Sequence, residues 1–419
     1  MKKYILILLT VFSASLVFAQ KKITIEEAVA LAAENNIQLN RQKLNLDLLK
    51  KRNQYSWNSV SPSANVSASF NKPIEQNTYN YSISGSISVT LTPSLYTAIK
   101  TAKMNYDSGV TSYEEAVRTV ELNVRKLFYS LINTQKSIAL QNRNMETAKQ
   151  RYQNNKDRYN RGQLSELDLL QSQYNYESML PNIESAMINY ENSLANFKQT
   201  LGIQQSEQIE LVGSLEDAIP PETFSIDTTI DQLPSIKNLE RKIELQQTQL
   251  LATRFSAWGP SLSASYSYGK SGMKDSKKLQ TTGNSISVSA RIPLDGYLPW
   301  SNGALSIESQ KTTLADLEMQ LENEKTTASI NIQNSVKNIM QKQSQIDMLK
   351  QNVEIAQKAY DMMLIAYNHG SKDLMTLQNS AYSLAQAQLN QQTQLYNLIC
   401  AVLDLENTLG VPFGTLGDK

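Results

Sequence analysis

Four short segments of the chain alternate serine with an apolar residue almost without error, as two pairs about 200 residues apart. The first pair is Ser63-Ala64-Asn65-Val66-Ser67-Ala68-Ser69-Phe70 and Ser82-Ile83-Ser84-Gly85-Ser86-Ile87-Ser88-Val89-Thr90-Leu91. The second is Ser261-Leu262-Ser263-Ala264-Ser265-Tyr266-Ser267-Tyr268 and Ser285-Ile286-Ser287-Val288-Ser289-Ala290-Arg291-Ile292. A period of two places every apolar side chain on one face of a strand and every hydroxyl on the other. Small hydroxyls opposite a continuous apolar face suit a strand with water on one side and lipid on the other. Four strands cannot close a barrel, and an open sheet edge in lipid leaves backbone groups unpaired at high cost. The missing strands must therefore come from other copies of the chain.

The N-terminus sets the compartment. Lys2 and Lys3 precede an apolar run that continues to Val17-Phe18-Ala19, which predicts a secretory signal peptide over residues 1–19. No cysteine stands directly after the expected cut, so no lipid anchor is expected there; Cys400, the only cysteine, sits on an apolar helical stretch and reads as a buried small hydrophobe. The two lysines of the leader account for the slight excess of 40 basic over 39 acidic residues, so the mature chain is close to neutral. Nothing in that balance argues for nucleic acid or an anionic membrane surface as a partner. Beyond residue 19 no apolar run approaches the roughly 20 residues of a spanning helix. Membrane entry is left to the strands.

The remaining sequence runs twice through one order: helix, strand, strand, very long helix, return helix. In the first copy a helix is expected from Thr24 to about Trp57, with Glu26 and Glu27 in its first turn. The long helix runs from about Ser94 to Tyr159, breaks at Gly162, and returns to Leu201-Gly202. The second copy starts near Ser235, opens its strands at Pro260, runs a long helix from Ala304 to Asn368, breaks at Gly370 and returns to Leu409-Gly410. Expected boundaries are residues 20–213 for the first repeat, 214–234 for a connecting segment, 235–410 for the second repeat and 411–419 for a tail. Residues 110–161 and 304–368 contain neither Gly nor Pro. At about 1.5 Å per residue, each long helix is a rod of roughly 100 Å.

A strict heptad runs along both rods. It is Val117, Val124, Leu131, Ile138, Met145, Tyr152, Tyr159 in the first, and Ile332, Ile339, Ile346, Val353, Tyr360, Tyr367 in the second. A sustained seven-residue apolar repeat packs against neighbouring helices as a coiled coil. Other faces rich in Gln, Asn, Lys and Ser meet water, as the wall of a tube or simply a rod would. Trp57, Trp258, Trp300, Tyr79, Tyr81, Tyr266, Tyr268 and Tyr297 lie at or near the strand ends, where either a membrane interface or ordinary amphipathic packing accommodates them. Asn71–Tyr79 and Lys270–Gly283 read as polar loops between paired strands. Gln204–Leu233, with Pro220 and Pro221, joins the halves, either packed around the waist or partly without order.

The chain carries no catalytic constellation. A single histidine, His369, leaves no His-based zinc site or Ser-His-Asp triad, and no phosphate-binding glycine loop is present. Met362-Met363 at helical spacing reads as core. No cofactor and no metal are expected, and the chain does not read as an enzyme.

Several features together resemble the TolC family of outer-membrane efflux proteins over nearly the whole mature sequence. They are Thr24-Ile25-Glu26-Glu27-Ala28-Val29-Ala30-Leu31-Ala32, a proline opening a strand in each half, and two Tyr-x-x-Gly turns. The turns are Tyr159-Asn160-Arg161-Gly162, followed by Leu167-Asp168-Leu169-Leu170-Gln171, and Tyr367-Asn368-His369-Gly370; each return helix ends in Leu-Gly. The resemblance implies a mainly α fold with a small β part: a long coiled-coil helical barrel plus four membrane strands per chain, completing a twelve-stranded barrel as a homotrimer. It implies an export duct in the outer membrane with a long periplasmic extension, docking on a periplasmic adaptor and an inner-membrane pump. It places a gate at the periplasmic tip, at Tyr159, Gly162, Asp168, Tyr367, Gly370 and Lys372, with adaptor docking at Arg161, Leu164, His369 and Ser371. Lys372 stands where the family usually has Arg, which keeps the charge and loses bidentate carboxylate pairing. Arg161 and His369 depart from the small or apolar residue common before the tip glycine. The segment Gly370–Gln378 reads one residue shorter than its first-half counterpart and lacks the acids of a divalent-cation-sensitive ring.

Two other classes stand beside this one. A trimeric coiled-coil adhesin also pools four strands per chain, but with contiguous C-terminal strands and a single rod. A periplasmic coiled-coil scaffold leaves the serine-alternating strands without a purpose.

Overall fold

A computed structural model describes residues 21–72, 74, 79–219, 229–273 and 280–416. The expected signal peptide, Pro220 and Pro221, and residues 73, 75–78 and 274–279 of the interstrand loops lie outside the described residues.

The chain opens with a short strand, β1 (Lys21–Ile23), and helix α1 (Ile25–Asn35). Thr24 and Glu27 form a reciprocal cap: the Glu27 amide donates to Thr24 Oγ1 and the Thr24 amide to Glu27 Oε2. The single helix expected to Trp57 is instead broken after Asn35. Asn36 accepts from the amides of Gln38 and Leu39, capping α2 (Ile37–Gln54), and its Nδ2 donates to the Thr200 carbonyl at 2.8 Å. The break bolts the start of the chain to the end of the first return helix.

Strands β2 (Ser63–Asn71) and β3 (Asn80–Leu91) follow, then α3 (Ser94–Asn160). The first return is two helices, α4 (Glu166–Glu177) and α5 (Met179–Leu201), with the break at Ser178. Pro181, three positions on, has no N–H to donate back, which accounts for the interruption. The connecting segment was not legible as a strand, yet β4 (Ile209–Leu211) pairs in parallel with β1. The second half comprises α6 (Pro234–Trp258), β5 (Ser261–Met273), β6 (Gln280–Arg291), α7 (Asn302–Asn368) and α8 (Leu374–Leu409). The stretch expected as a loop from Lys270 is partly strand: pairing continues through Lys270↔Thr281 and Ser271↔Gln280, past a bulge beside Gly269. The rods α3 and α7 are 67 residues each, or about 100 Å long.

The two strand pairs form one antiparallel sheet in the order β2-β3-β5-β6. It is open, with β2 and β6 as its edges. No helix among the described residues is long and apolar enough to cross a membrane.

The main core lies at the waist of the rods, where β1, β4, α1 and the ends of α5 and α8 meet the middle of α3 and α7. Phe128 on α3 and Phe197 on α5 are fully buried there, ring centroids 6.3 Å apart. On the heptad, Val124, Leu131, Ile339 and Ile346 are buried and most of the rest half-buried; Tyr159 at the tip is 38% exposed. Cys400 is half-buried, and burial, the largest influence, raises its thiol pKa.

Candidate functional site: an amphipathic sheet and a helical tip

Two regions carry the chemistry expected of a pore wall, one at each end of the rods. In the sheet, strand register turns the serine alternation into rows. Ser63, Ser67 and Ser69 face Ser88, Ser84 and Ser82; Ser86 and Ser88 face Ser267 and Ser265; Ser263, Ser265 and Ser267 face Ser289, Ser287 and Ser285. Hydroxyls bond across the rows, at 2.8 Å for Ser63–Ser88, Ser67–Ser84, Ser69–Ser82 and Ser267–Ser285. The other face carries Val66, Phe70, Ile83, Ile87, Leu262, Tyr266, Ile286 and Val288, all exposed in the single chain, Val66 by 84%. A continuous apolar face of this breadth demands a nonaqueous neighbour.

Aromatic groups mark both ends of the sheet. Trp258 donates Nε1–H to the Gly296 carbonyl at 2.8 Å and stacks on Tyr297 where the sheet joins the helices. Phe70, Tyr79 and Tyr81 group at the far end.

At the other end of the rods, the two tip turns repeat one geometry. Gly162 has φ 71° and Gly370 φ 74°, both left-handed, and neither would bring an added Cβ within 4 Å of another group. Backbone conformation alone therefore calls for glycine at both. The Gln163 amide donates to Arg158 O at 2.8 Å, and the Ser371 amide to Ala366 O at 2.9 Å, closing each helix in the same way. Ser165 then caps α4, and Asp373 caps α8 by accepting from the Thr376 amide at 2.7 Å. Each cap lies three positions beyond its glycine. The turns are thus equal in length. The one residue by which the segment Gly370–Gln378 is shorter than its first-half counterpart therefore falls past the cap, inside the helix.

Asp168 is engaged locally: its amide donates to Ser165 Oγ, and Ser165 Oγ donates to its carboxylate at 2.7 Å. Lys372 is exposed in the turn, and no ion pair joins it to Asp168 within the chain. The Asp373 carboxyl is held below its ordinary value, first by hydrogen bonds from Thr376 and then by the neighbouring Lys372 charge. Arg161, His369 and Ser371 are exposed, while Leu164 is half-buried. Arg161 Nε donates to Asp157 O, and Ser371 Oγ to Ala366 O.

Tyr367 does more than end the heptad. Its hydroxyl donates to Oδ1 of Asn155 on α3 at 3.1 Å, and Asn155 is 2% exposed with its own Nδ2 unpartnered. Two turns up the rods, Arg151 donates to the Tyr360 hydroxyl at 2.7 Å. Tyr152 stacks on Tyr176 of α4, the planes 9° apart. The lower rods are therefore joined by polar rungs as well as apolar knobs. Asn155 and Arg151 were missed because a polar residue within a polar-faced helix gives no periodic signal; the tyrosines opposite them in the heptad were the only trace.

A sheet with one lipid-compatible face, carried on rods of this length, suits a protein that enters a membrane through its strands. The sequence profile of the outer membrane efflux protein family matches residues 27–203 and 226–411, and the chain belongs to that family. The family comprises transport ducts, not enzymes. A comparison with curated protein sequences finds no match. Among solved structures, the chain is similar in fold to the CmeC outer membrane channel of Campylobacter jejuni (19% identity, TM-score 0.74, covering 92% of this chain and 85% of that one). It is similar to the outer membrane protein VceC of Vibrio cholerae (13% identity, TM-score 0.73, 93% and 96%). A third is the open state of the MtrE outer membrane channel of Neisseria gonorrhoeae (16% identity, TM-score 0.71, 92% and 89%).

Proposed function

We propose that three copies of this chain form the outer-membrane duct of a tripartite export system, with a long periplasmic extension. The observation that carries this reading is the sheet: a hydroxyl face and an apolar face in register across four strands, with both edges unpaired. Three such sheets complete a twelve-stranded barrel with water inside and lipid outside. The rods of three copies line a tunnel below it. Energy comes from an inner-membrane pump reached through a periplasmic adaptor; the duct supplies the path and the gate.

The gate lies at the tip. Tyr367 is held to Asn155 within each copy, and Asp168 and Lys372 face neighbouring helices once copies assemble. Each such contact near a water-filled mouth is worth about 0–1 kcal/mol, so several together hold the tip shut until an adaptor competes for them. Arg161, Leu164, His369 and Ser371, all on the two turns, form the docking surface. Tyr367→Phe together with Asp168→Ala is expected to raise single-channel conductance and the entry of large antibiotics. Unchanged conductance and permeability would remove the gate from these residues. Crosslinking in native cells and purification from the outer membrane should recover an adaptor and an inner-membrane pump. Repeated recovery of an intact trimer alone would argue for a stand-alone pore.

A further inference from the structure

The charge on the hydroxyl face has an uneven distribution. Strands β2, β3, β5 and β6 contain no Asp or Glu, and only two basic residues, Lys270 and Arg291. Lys270 pairs with Ile83 and so belongs to the apolar face, near the far end of the sheet. Arg291 pairs with Ser261, continues the row Ser285, Ser287, Ser289, and lies at the end where the sheet meets the rods. It is exposed, and no ion pair joins it to any carboxylate whose side chain is described; the side chain of Asp295, four residues on, lies outside the described ones. β6 is an edge strand, so a second copy will place its β2 beside Arg291. β2 is Ser-Ala-Asn-Val-Ser-Ala-Ser-Phe-Asn, which offers no acid in any register. Assembly through the sheet edges therefore leaves this charge unneutralised by strands of either copy.

Resting on the duct reading, we propose that Arg291 sets the charge preference of the membrane section. A ring of three guanidinium groups at the junction of barrel and tunnel favours anionic solutes and opposes cations. Serine hydroxyls lining the rest of the wall turn either end of their dipole to a solute and do not discriminate by sign. Low-dielectric walls focus the field of fixed charges into the water between them. The screening length is about 10 Å at 0.1 M salt and about 30 Å at 0.01 M, so the ring acts across a pore most strongly at low salt. The solute class favoured is organic anions and acidic amphiphiles.

The test is the reversal potential of purified trimers in planar bilayers under a KCl gradient, at low and at high salt. It is made in the native chain and in the Tyr367→Phe/Asp168→Ala background, so that the tip is not the dominant resistance. Arg291→Ser, which continues the hydroxyl row, is expected to lower the chloride-to-potassium permeability ratio several-fold at low salt. Arg291→Lys should retain the native ratio, and Arg291→Glu should invert the preference. The differences should shrink near 1 M salt. Where a variant fails to assemble, Arg291→Cys in a Cys400→Ala background, modified after assembly with a cationic or an anionic thiol reagent, gives the same comparison. Equal reversal potentials for the native chain, Arg291→Ser and Arg291→Glu, in channels of normal conductance, would overturn the assignment of Arg291 alone. Intact membrane-inserted trimers that carry no current would overturn the duct reading and this inference with it.

Discussion

Glu406 shows how much of this molecule depends on one side chain that no sequence pattern marks. It is 0% exposed, and its Oε1 accepts from the amides of Gly414 at 2.9 Å and Leu416 at 2.8 Å, while Oε2 has no partner. Arg118 on α3 completes the clamp. It donates to Asn407 Oδ1 and to the carbonyls of Glu406 and Val411, and its guanidinium lies 4.8 Å from the Phe413 ring centroid. The segment after α8 is thereby folded back onto the waist. Burial raises the Glu406 carboxyl pKa above the ordinary 4.5, against the pull of the two amides and of Arg125 and Arg118. Glu406→Ala strands two amides and is expected to cost about 1–3 kcal/mol, read as a lower Tm in detergent and faster proteolysis after α8. Glu406→Gln keeps an acceptor and removes the buried charge, so it should cost under about 1 kcal/mol at neutral pH. The sign with pH follows from the raised pKa. The ionised form penalises the folded state, and the penalty is relieved as pH falls through the folded pKa toward 4.5. The stability difference between the native chain and Glu406→Gln should therefore change over that interval and level off below it. Equal losses for Ala and Gln would show that the amide bonds are not what holds the tail. In the sequence, Glu406 is one acid in an apolar run, and its partners are backbone groups of a tail with no signal of its own.

Elements were legible where one period persisted. The rods, both strand pairs and the glycine breaks at 162, 202, 370 and 410 follow from alternation, heptads and helix-stop residues. The breaks at Asn36 and Ser178 did not, because each is decided by a tertiary bond or a single proline within an otherwise helical run. β1 and β4 are three residues each, too short for a period, and pair only because the fold brings distant segments together. The strand faces make a direct prediction. Val288 is 70% exposed on the apolar face, and Ser287, its neighbour in sequence, lies on the hydroxyl face. Val288→Arg should cost about 2–4 kcal/mol if that face meets lipid near the bilayer midplane and should lower the yield of heat-resistant oligomer in outer membranes. Ser287→Arg should assemble normally. Equal tolerance of both would mean that the apolar face is covered by protein rather than lipid.

Across the whole molecule, what a single chain leaves unpaired describes its partner. β2 and β6 present free backbone donors and acceptors along both edges of the sheet. Each such group exposed to hydrocarbon costs several kcal/mol, so the proposed duct requires these edges to meet other edges. Met348, Ile355 and Met362 make a second seven-residue stripe on α7, exposed by 53, 65 and 72%, beside the seam already filled within the chain. Leu167 and Tyr174 on α4 have the same spacing and are 65% and 75% exposed. A chain with unsatisfied features on two sides makes head-to-tail contacts, which close into a ring or grow without limit according to the rotation between copies. Cysteines on the facing edges distinguish these outcomes. Val66→Cys on β2, combined in turn with Ile286→Cys, Val288→Cys or Ala290→Cys on β6 in a Cys400→Ala background, samples the register of the edge pairing. A disulfide forms only where Cα atoms come within about 7 Å, so one of the three combinations should link far better than the others. Under oxidation in intact outer membranes, that combination should yield bands of two and three chains and nothing larger, since a closed ring exhausts its edges. A ladder continuing past three chains would mean that the strands polymerise rather than close. An absence of links at all three positions would mean that the edges are satisfied by something other than another copy, and the twelve-stranded barrel would have to be abandoned.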